Sequence, residues 1–105
     1  MHILCVHLSM TEIRFEWDPA KAESNERKHG ISFDEASTAF WDEQGLLLED
    51  LDDSSGEERL VLLGLSRSLR LLVVVHTLRR GHVIRIISAR KATRHEATQY
   101  QTRLR

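Results

Sequence analysis

Apolar and polar residues alternate over Ile13-Arg14-Phe15-Glu16-Trp17, the spacing of a strand with one buried face. Asp18-Pro19 ends it: Asp is a good N-cap and Pro is pre-set for a first helical turn, so a helix is predicted from about Pro19 to His29. Gly30 supplies its left-handed C-terminal cap. Ser32 opens a second helix by a capping box with Glu35, flanked by the staple pair Ile31 and Ala36, and Phe33, Ala36 and Phe40 share one face. A turn near Asp42–Gly45 and a short apolar run, Leu46-Leu47-Leu48, come next. Three strand-length runs follow, Arg59–Leu65, Leu71–Leu78 and Val83–Ser88, with connections at 66–70 and 79–82 short enough for antiparallel hairpins. Leu71–Val75 lacks polar alternation and is expected at the centre of the sheet with both faces covered. Thr93, spaced for a capping box with Glu96, starts a last helix with Ala97, Tyr100 and Leu104 as its apolar stripe. The order β-α-α-β-β-β-β-α describes an α+β domain, a mostly antiparallel four- to five-stranded sheet with helices packed on it.

Residues 10–105 are expected to form that one domain, since 105 residues with 41% hydrophobic content suit a single modest core. Residues 1–9 read either as a loose extension ahead of a start at Met10 or as a short added strand. The acidic run from Glu49 to Glu58 reads as a solvated loop. Cys5 is the lone cysteine, which fits a reducing cytoplasm. No apolar stretch approaches the roughly 20 residues that span a bilayer, so no membrane partner is expected.

A formal net charge of −1 conceals a division along the chain. Residues 1–58 hold four Lys/Arg against fifteen Asp/Glu, whereas residues 59–105 hold eleven Lys/Arg against the single acid Glu96. Ten of those eleven cations are arginine, the side chain that makes forked bonds to phosphate. The halves neutralise each other in part, but one acid cannot pair locally with eleven cations, and a basic surface follows.

Several chemistries lack their residues. The chain has no glycine-rich phosphate loop, no paired-cysteine metal site and no two histidines spaced i,i+4 on a helix with a carboxylate, so neither a metal nor another cofactor is expected. What remains is arginine on strands. In Val83–Arg90, alternation sets Arg85 on the face of Val83 and Ile87, with Ser88 and Arg90 on the opposite face. A guanidinium in such an apolar strand must pair or face an open groove. Arg59 starts one strand and Arg79 sits at a hairpin, so that with adjoining strands Arg59, Arg79 and Arg85 line one patch; the competing arrangement pairs Arg85 with Glu16 or Glu58. Arg80, Arg90, Lys91 and Arg94 extend the basic surface as candidate substrate contacts.

RNA carries its own nucleophile, the 2′-hydroxyl. A protein that cuts it needs a base, cations for the crowded phosphorane and an acid for the leaving 5′-oxygen. Arginines with a histidine or lysine meet these needs, and Lys28 with His29 at the end of the first helix form the candidate proton-handling pair. His29 has a competing role as a cation completing the helix C-terminus. His76 reads as a strand histidine with a satisfied hydrogen bond.

Phe15-Glu16-Trp17-Asp18-Pro19-Ala20-Lys21, Asn25 and Lys28-His29-Gly30-Ile31-Ser32-Phe33 resemble the opening of the BrnT family of bacterial toxins. The likeness continues through Glu35-Ala36, Phe40, Glu58-Arg59, Gly64 and Arg85-Ile86-Ile87-Ser88-Ala89-Arg90-Lys91-Ala92 to Glu96 and Tyr100. The resemblance implies a RelE-like fold and a metal-independent endoribonuclease that blocks translation. It implies a cognate antitoxin whose ribbon-helix-helix domain binds operator DNA and whose remaining segment covers the toxin. It also puts functional weight on Lys28, His29, Arg59, Arg79, Arg85 and Arg90, although Leu78-Arg79-Arg80-Gly81 allows either hairpin arginine to fill the family position. A second class of function fits the same charge division: a non-catalytic basic module that docks an acidic partner or nucleic acid and acts in transcriptional autoregulation.

Overall fold

A computed structural model describes residues 13–49, 58–80 and 82–103. The expectations for residues 1–9, Met10, Cys5, Leu104 and most of the acidic loop lie outside the described residues. Within them run strand β1 (Arg14–Glu16), helix α1 (Pro19–His29), helix α2 (Phe33–Thr38) with a 3-10 turn (Ala39–Trp41), and strands β2 (Leu46–Glu49), β3 (Leu60–Leu65), β4 (Leu71–Arg79) and β5 (Val83–Lys91). Helix α3 (Arg94–Arg103) closes the order. The strands form one sheet in the order β1-β5-β4-β3-β2, with β1 parallel to β5 and every other pair antiparallel. The fold is α+β, and β4 lies at its centre as its unbroken apolar run requires.

Local chemistry starts and stops the helices as anticipated. Asp18 accepts from the Ala20 amide at 3.0 Å with Pro19 in the first turn, and Gly30 ends α1 at φ 73°. Ser32 accepts from the Glu35 amide at 3.0 Å. The reciprocal half of that box is not formed, because Glu35 is engaged elsewhere: its Oε2 accepts from Arg70 Nε at 2.9 Å and from the Ser66 hydroxyl at 2.7 Å. The Arg70 partnership holds the Glu35 carboxyl below its ordinary range. At α3 both halves are present, with Glu96 N–H donating to Thr93 Oγ1 at 3.2 Å and Thr93 N–H donating to Glu96 Oε1 at 2.8 Å.

Two layers of core flank the sheet. On one face Ile31, Phe33, Ala36 and Ala39 pack against Leu62, Leu72, Val74, Ile84, Ile86 and Ala89, joined by Phe15, Trp17 and Phe40. Gly64 permits this approach, since a Cβ there would stand 2.9 Å from the Ala39 carbonyl oxygen. On the other face Tyr100 of α3 packs with Leu63 and Val73. The Tyr100 hydroxyl donates to Asp42 at 2.6 Å; burial and that carboxylate together push the phenol up to about 12.

The strand β5 departs from simple alternation. Its partners on β4 run Thr77↔Arg85 and His76↔Ile86, then jump to Val75↔Ser88, so Ile87 is an extra residue. The bulge restores parity. Ser88 and Arg90 therefore return to the face of Arg85, a correction to the expectation of opposite faces, while Ala89 joins Ile84 and Ile86 in the core.

Candidate functional site

β1 presents its residues alternately. Phe15 and Trp17 point into the helical layer, where Phe15 meets Phe40 at 5.3 Å between centroids and Trp17 meets Phe33 at 5.8 Å. Glu16 between them points to the other face, opposite Arg85 in the register. On that face Thr77 is paired with Arg85, and extending the β3–β4 register by one residue brings Arg59 beside Thr77. Arg79 lies two residues along β4 from Thr77 and so shares its side. Arg59, Arg79 and Arg85, from three different stretches of chain, thus share one half of one sheet face. The other half lies under α3, and no described helix covers the arginine half.

Glu16 places a carboxylate at this patch. Arg85 Nη1 donates to Glu16 Oε2 at 3.1 Å, and Arg79 Nε lies 3.7 Å from the same oxygen. The side chains keep 41% of their surface for Glu16, 48% for Arg79 and 33% for Arg85, so all three remain reachable from solvent. The pairing of Arg85 with Glu16 and the gathering of the arginines, set out above as competing arrangements, coexist. Thr77 stands in the middle of the row, 2% exposed, and its buried hydroxyl has no hydrogen-bond partner.

Lys28 and His29 stand at a neighbouring place. With Lys21, Ser24 and Asn25 of α1 they line a cleft of about 210 Å³ whose other wall is Ile87 and Ser88. Asn25 fixes α1 there through hydrogen bonds to Ala89 of β5. Arg85 and Ser88 are three residues apart on one strand, so the cleft opens roughly 10 Å from the arginine patch.

The remaining candidates separate from this group. Arg90 shares the face of Arg85 but sits at the α3 end, where Nη1 and Nη2 donate to the two carboxylate oxygens of Glu96 at 2.8 and 2.9 Å. That fork holds α3 on the sheet and lowers Glu96 to about 2. Lys91 and Arg94 are exposed beside the start of α3, and Arg80 occupies the hairpin turn at φ 54°. Of the two hairpin arginines, Arg79 is the one that reaches Glu16. His76 is buried, its ring nitrogen 3.1 Å from the Val74 carbonyl, and burial keeps it from taking a proton at its ordinary value. Among the described residues no three His, Cys, Asp or Glu side chains cluster closely enough to hold a metal ion.

Reasoning on residue types alone passed over Thr77 and gave Asn25 no role beyond the family likeness. Neither carries a local signal, because each acts through strands distant in the chain.

A search of curated proteins returned no match. The crystal structure of the Brucella abortus ribonuclease toxin BrnT is similar, with a TM-score of 0.61 at 21% identity over 78% of this chain and 99% of that one. The family model described as "ribonuclease toxin, BrnT, of type II toxin-antitoxin system" matches residues 17–96. With the match spanning most of the chain, the protein belongs to the BrnT family of ribonuclease toxins.

Proposed function

We infer that the protein is an endoribonuclease toxin that cuts RNA without a metal by driving its 2′-hydroxyl onto the neighbouring phosphate, and that it blocks translation by doing so. The observation that carries this reading is the meeting of Arg79 of β4, Arg85 of β5 and Arg59, the residue before β3, on the half of the sheet that α3 leaves uncovered. A guanidinium has five donors, and Arg85 spends one nitrogen on Glu16. A phosphodiester entering the patch meets preorganised donors suited to the extra negative charge of a phosphorane. Lys28 and His29, lining the adjoining cleft, are the candidate proton donors for the leaving 5′-oxygen, which is bonded to the same phosphorus and which they serve by reaching from the cleft toward the patch. Lys91, Arg94 and Arg80 are available to flanking phosphates, while Arg90 serves the fold first.

Membership of a type II system brings a cognate antitoxin. In this reading it has a ribbon-helix-helix domain that binds operator DNA, and its other segment covers the arginine half of the sheet. The toxin acts in the cytoplasm and meets DNA only through that partner.

The test is the chemistry of the cut ends. Purified protein and an RNA oligonucleotide, incubated in excess EDTA, are expected to yield a 2′,3′-cyclic phosphate or its hydrolysed monoester, with a 5′-hydroxyl on the other fragment. Fragments ending in 3′-hydroxyl and 5′-phosphate contradict the mechanism. Tight binding to RNA with no cleavage favours the docking module instead.

A further inference from the structure

Resting on the reading just given, we propose that Glu16 is the base that removes the proton from the attacking 2′-hydroxyl, and that the arginines holding the scissile phosphate also aim it. The position comes from the backbone. Phe15 and Trp17 anchor β1 in the aromatic layer on one side, so alternation fixes Glu16 on the other, directly opposite Arg85. Its Oε2 is within 3.1 Å of Arg85 Nη1 and 3.7 Å of Arg79 Nε, so its carboxylate already lies where those guanidiniums gather negative charge.

A phosphodiester bound by the same two arginines competes with Glu16 for their donors and lies beside it. The 2′-hydroxyl of the nucleotide on the 3′-oxygen side is attached to that phosphate through a short bridge of atoms, which brings it within hydrogen-bond reach of a displaced carboxylate oxygen. The carboxylate thus has two states: a counter-ion that keeps Arg79 and Arg85 extended in the empty site, and a proton acceptor in the filled one.

The step balances without a co-reactant. Glu16 takes the proton of the 2′-hydroxyl, the 2′-oxygen forms its bond to phosphorus, and the bond from phosphorus to the 5′-oxygen breaks. That oxygen leaves with a proton supplied from the Lys28–His29 side or from water. The products are a 2′,3′-cyclic phosphate and a 5′-hydroxyl, with the carboxyl proton then lost to solvent.

A bare counter-ion makes the opposite forecast. Removing an anion from an arginine site strengthens phosphate binding and leaves the chemistry intact or faster. Glu16→Gln keeps the size of the side chain and discriminates between the two. Single-turnover cleavage of an RNA oligonucleotide is measured for wild type, Glu16→Gln and Arg85→Ala, alongside binding of a copy carrying one 2′-deoxy nucleotide at the cut site. Glu16→Gln is expected to bind the deoxy copy as tightly as wild type or tighter while its cleavage rate falls about 100-fold or more, the usual scale of general base help. Cleavage by Glu16→Gln within a few-fold of wild type, with Arg85→Ala inactive, overturns the proposal and leaves the arginine site standing. Cleavage that survives in both variants removes the arginine site as well. Glu16→Asp, which retains a carboxylate on a shorter stem, is expected to recover part of the rate; recovery no greater than that of Glu16→Gln also counts against the proposal.

Discussion

Asn25 holds both backbone groups of Ala89: its Nδ2 donates to the Ala89 carbonyl at 2.9 Å, and the Ala89 N–H donates to its Oδ1 at 3.1 Å. The side-chain amide stands in for a neighbouring strand, on the edge of β5 beyond the last residue paired with β1. The same Nδ2 also donates to the Ile31 carbonyl at 3.0 Å, tying the turn after α1 into the arrangement. All of this is buried, so Asn25→Ala leaves unpaired polar groups and is expected to destabilise by about 2–4 kcal/mol. Asn25→Asp keeps an acceptor for the Ala89 amide but loses both donated bonds, and is also expected to destabilise. Urea midpoints of the two variants check this.

The Arg90–Glu96 fork predicts a direction in pH. Glu96 is lowered to about 2 in the fold against an ordinary value of 4.5, with the Arg90 hydrogen bonds as the leading cause. Its contribution to stability is therefore fully present above about 4.5 and fades as pH falls toward 2. Glu96→Gln should lower Tm at neutral pH, and its gap to wild type should narrow steadily across that acid window. Calorimetry at a series of pH values tests the sign.

His76 acts in the same direction from a different cause. Burial disfavours its charged form, so the unfolded chain binds the additional proton as pH drops below the ordinary value of 6.5. Stability is expected to decline from there, before the carboxylates titrate. The chemical shift of His76, followed by NMR through a pH titration, should show an imidazole that takes up its proton only below the ordinary value of 6.5.

Leu69 sits at φ 63° in the β3–β4 turn and is 78% exposed. A left-handed backbone costs a residue with a Cβ roughly 1 kcal/mol or more, and glycine avoids that cost. After allowing for the greater freedom of glycine in the unfolded chain, Leu69→Gly should stabilise by about 0.5 kcal/mol. Thermal unfolding measures it.

Salt offers an independent check on the arginine face. For a single strand, log K falls with log salt at about 0.7 per phosphate neutralised, so the one phosphodiester held by Arg59, Arg79 and Arg85 contributes a slope of about −0.7, which flanking phosphates met by Arg80, Lys91 and Arg94 steepen. The double variant Arg59→Ala/Arg85→Ala should flatten the slope by about 0.7, as titrations of a 2′-deoxy-containing oligonucleotide at several salt concentrations can show.

Much of the fold was legible because its signals are local. Asp18, Pro19 and Gly30 bound α1 to the residue, since caps and a fixed φ act within a few positions. The gathering of Arg59, Arg79 and Arg85 was also legible, given two hairpins and a period of two. What could not be read depends on partners far along the chain. The parity of Ser88 and Arg90 turns on a bulge visible only once β4 is laid against β5. Glu35 shows the same limit, since its carboxylate leaves the local capping box for Arg70, 35 residues away. The Tyr100–Asp42 bond spans 58 residues and has no local trace at all. Glu16 was visible as a possible partner of Arg85, but its place between two arginines required knowing that β1 lies beside β5.

The central claim is that one phosphodiester is held by guanidiniums from β4, β5 and the residue before β3. The direct measurement follows the arginine Nε–H resonances while a non-cleavable oligonucleotide is titrated into the protein. Arg59, Arg79 and Arg85 should shift together with one affinity, while Arg70 and Arg90, held by Glu35 and Glu96, stay in place. Shifts confined to Arg90, Arg94 and the α3 end, with those three unmoved, contradict the account.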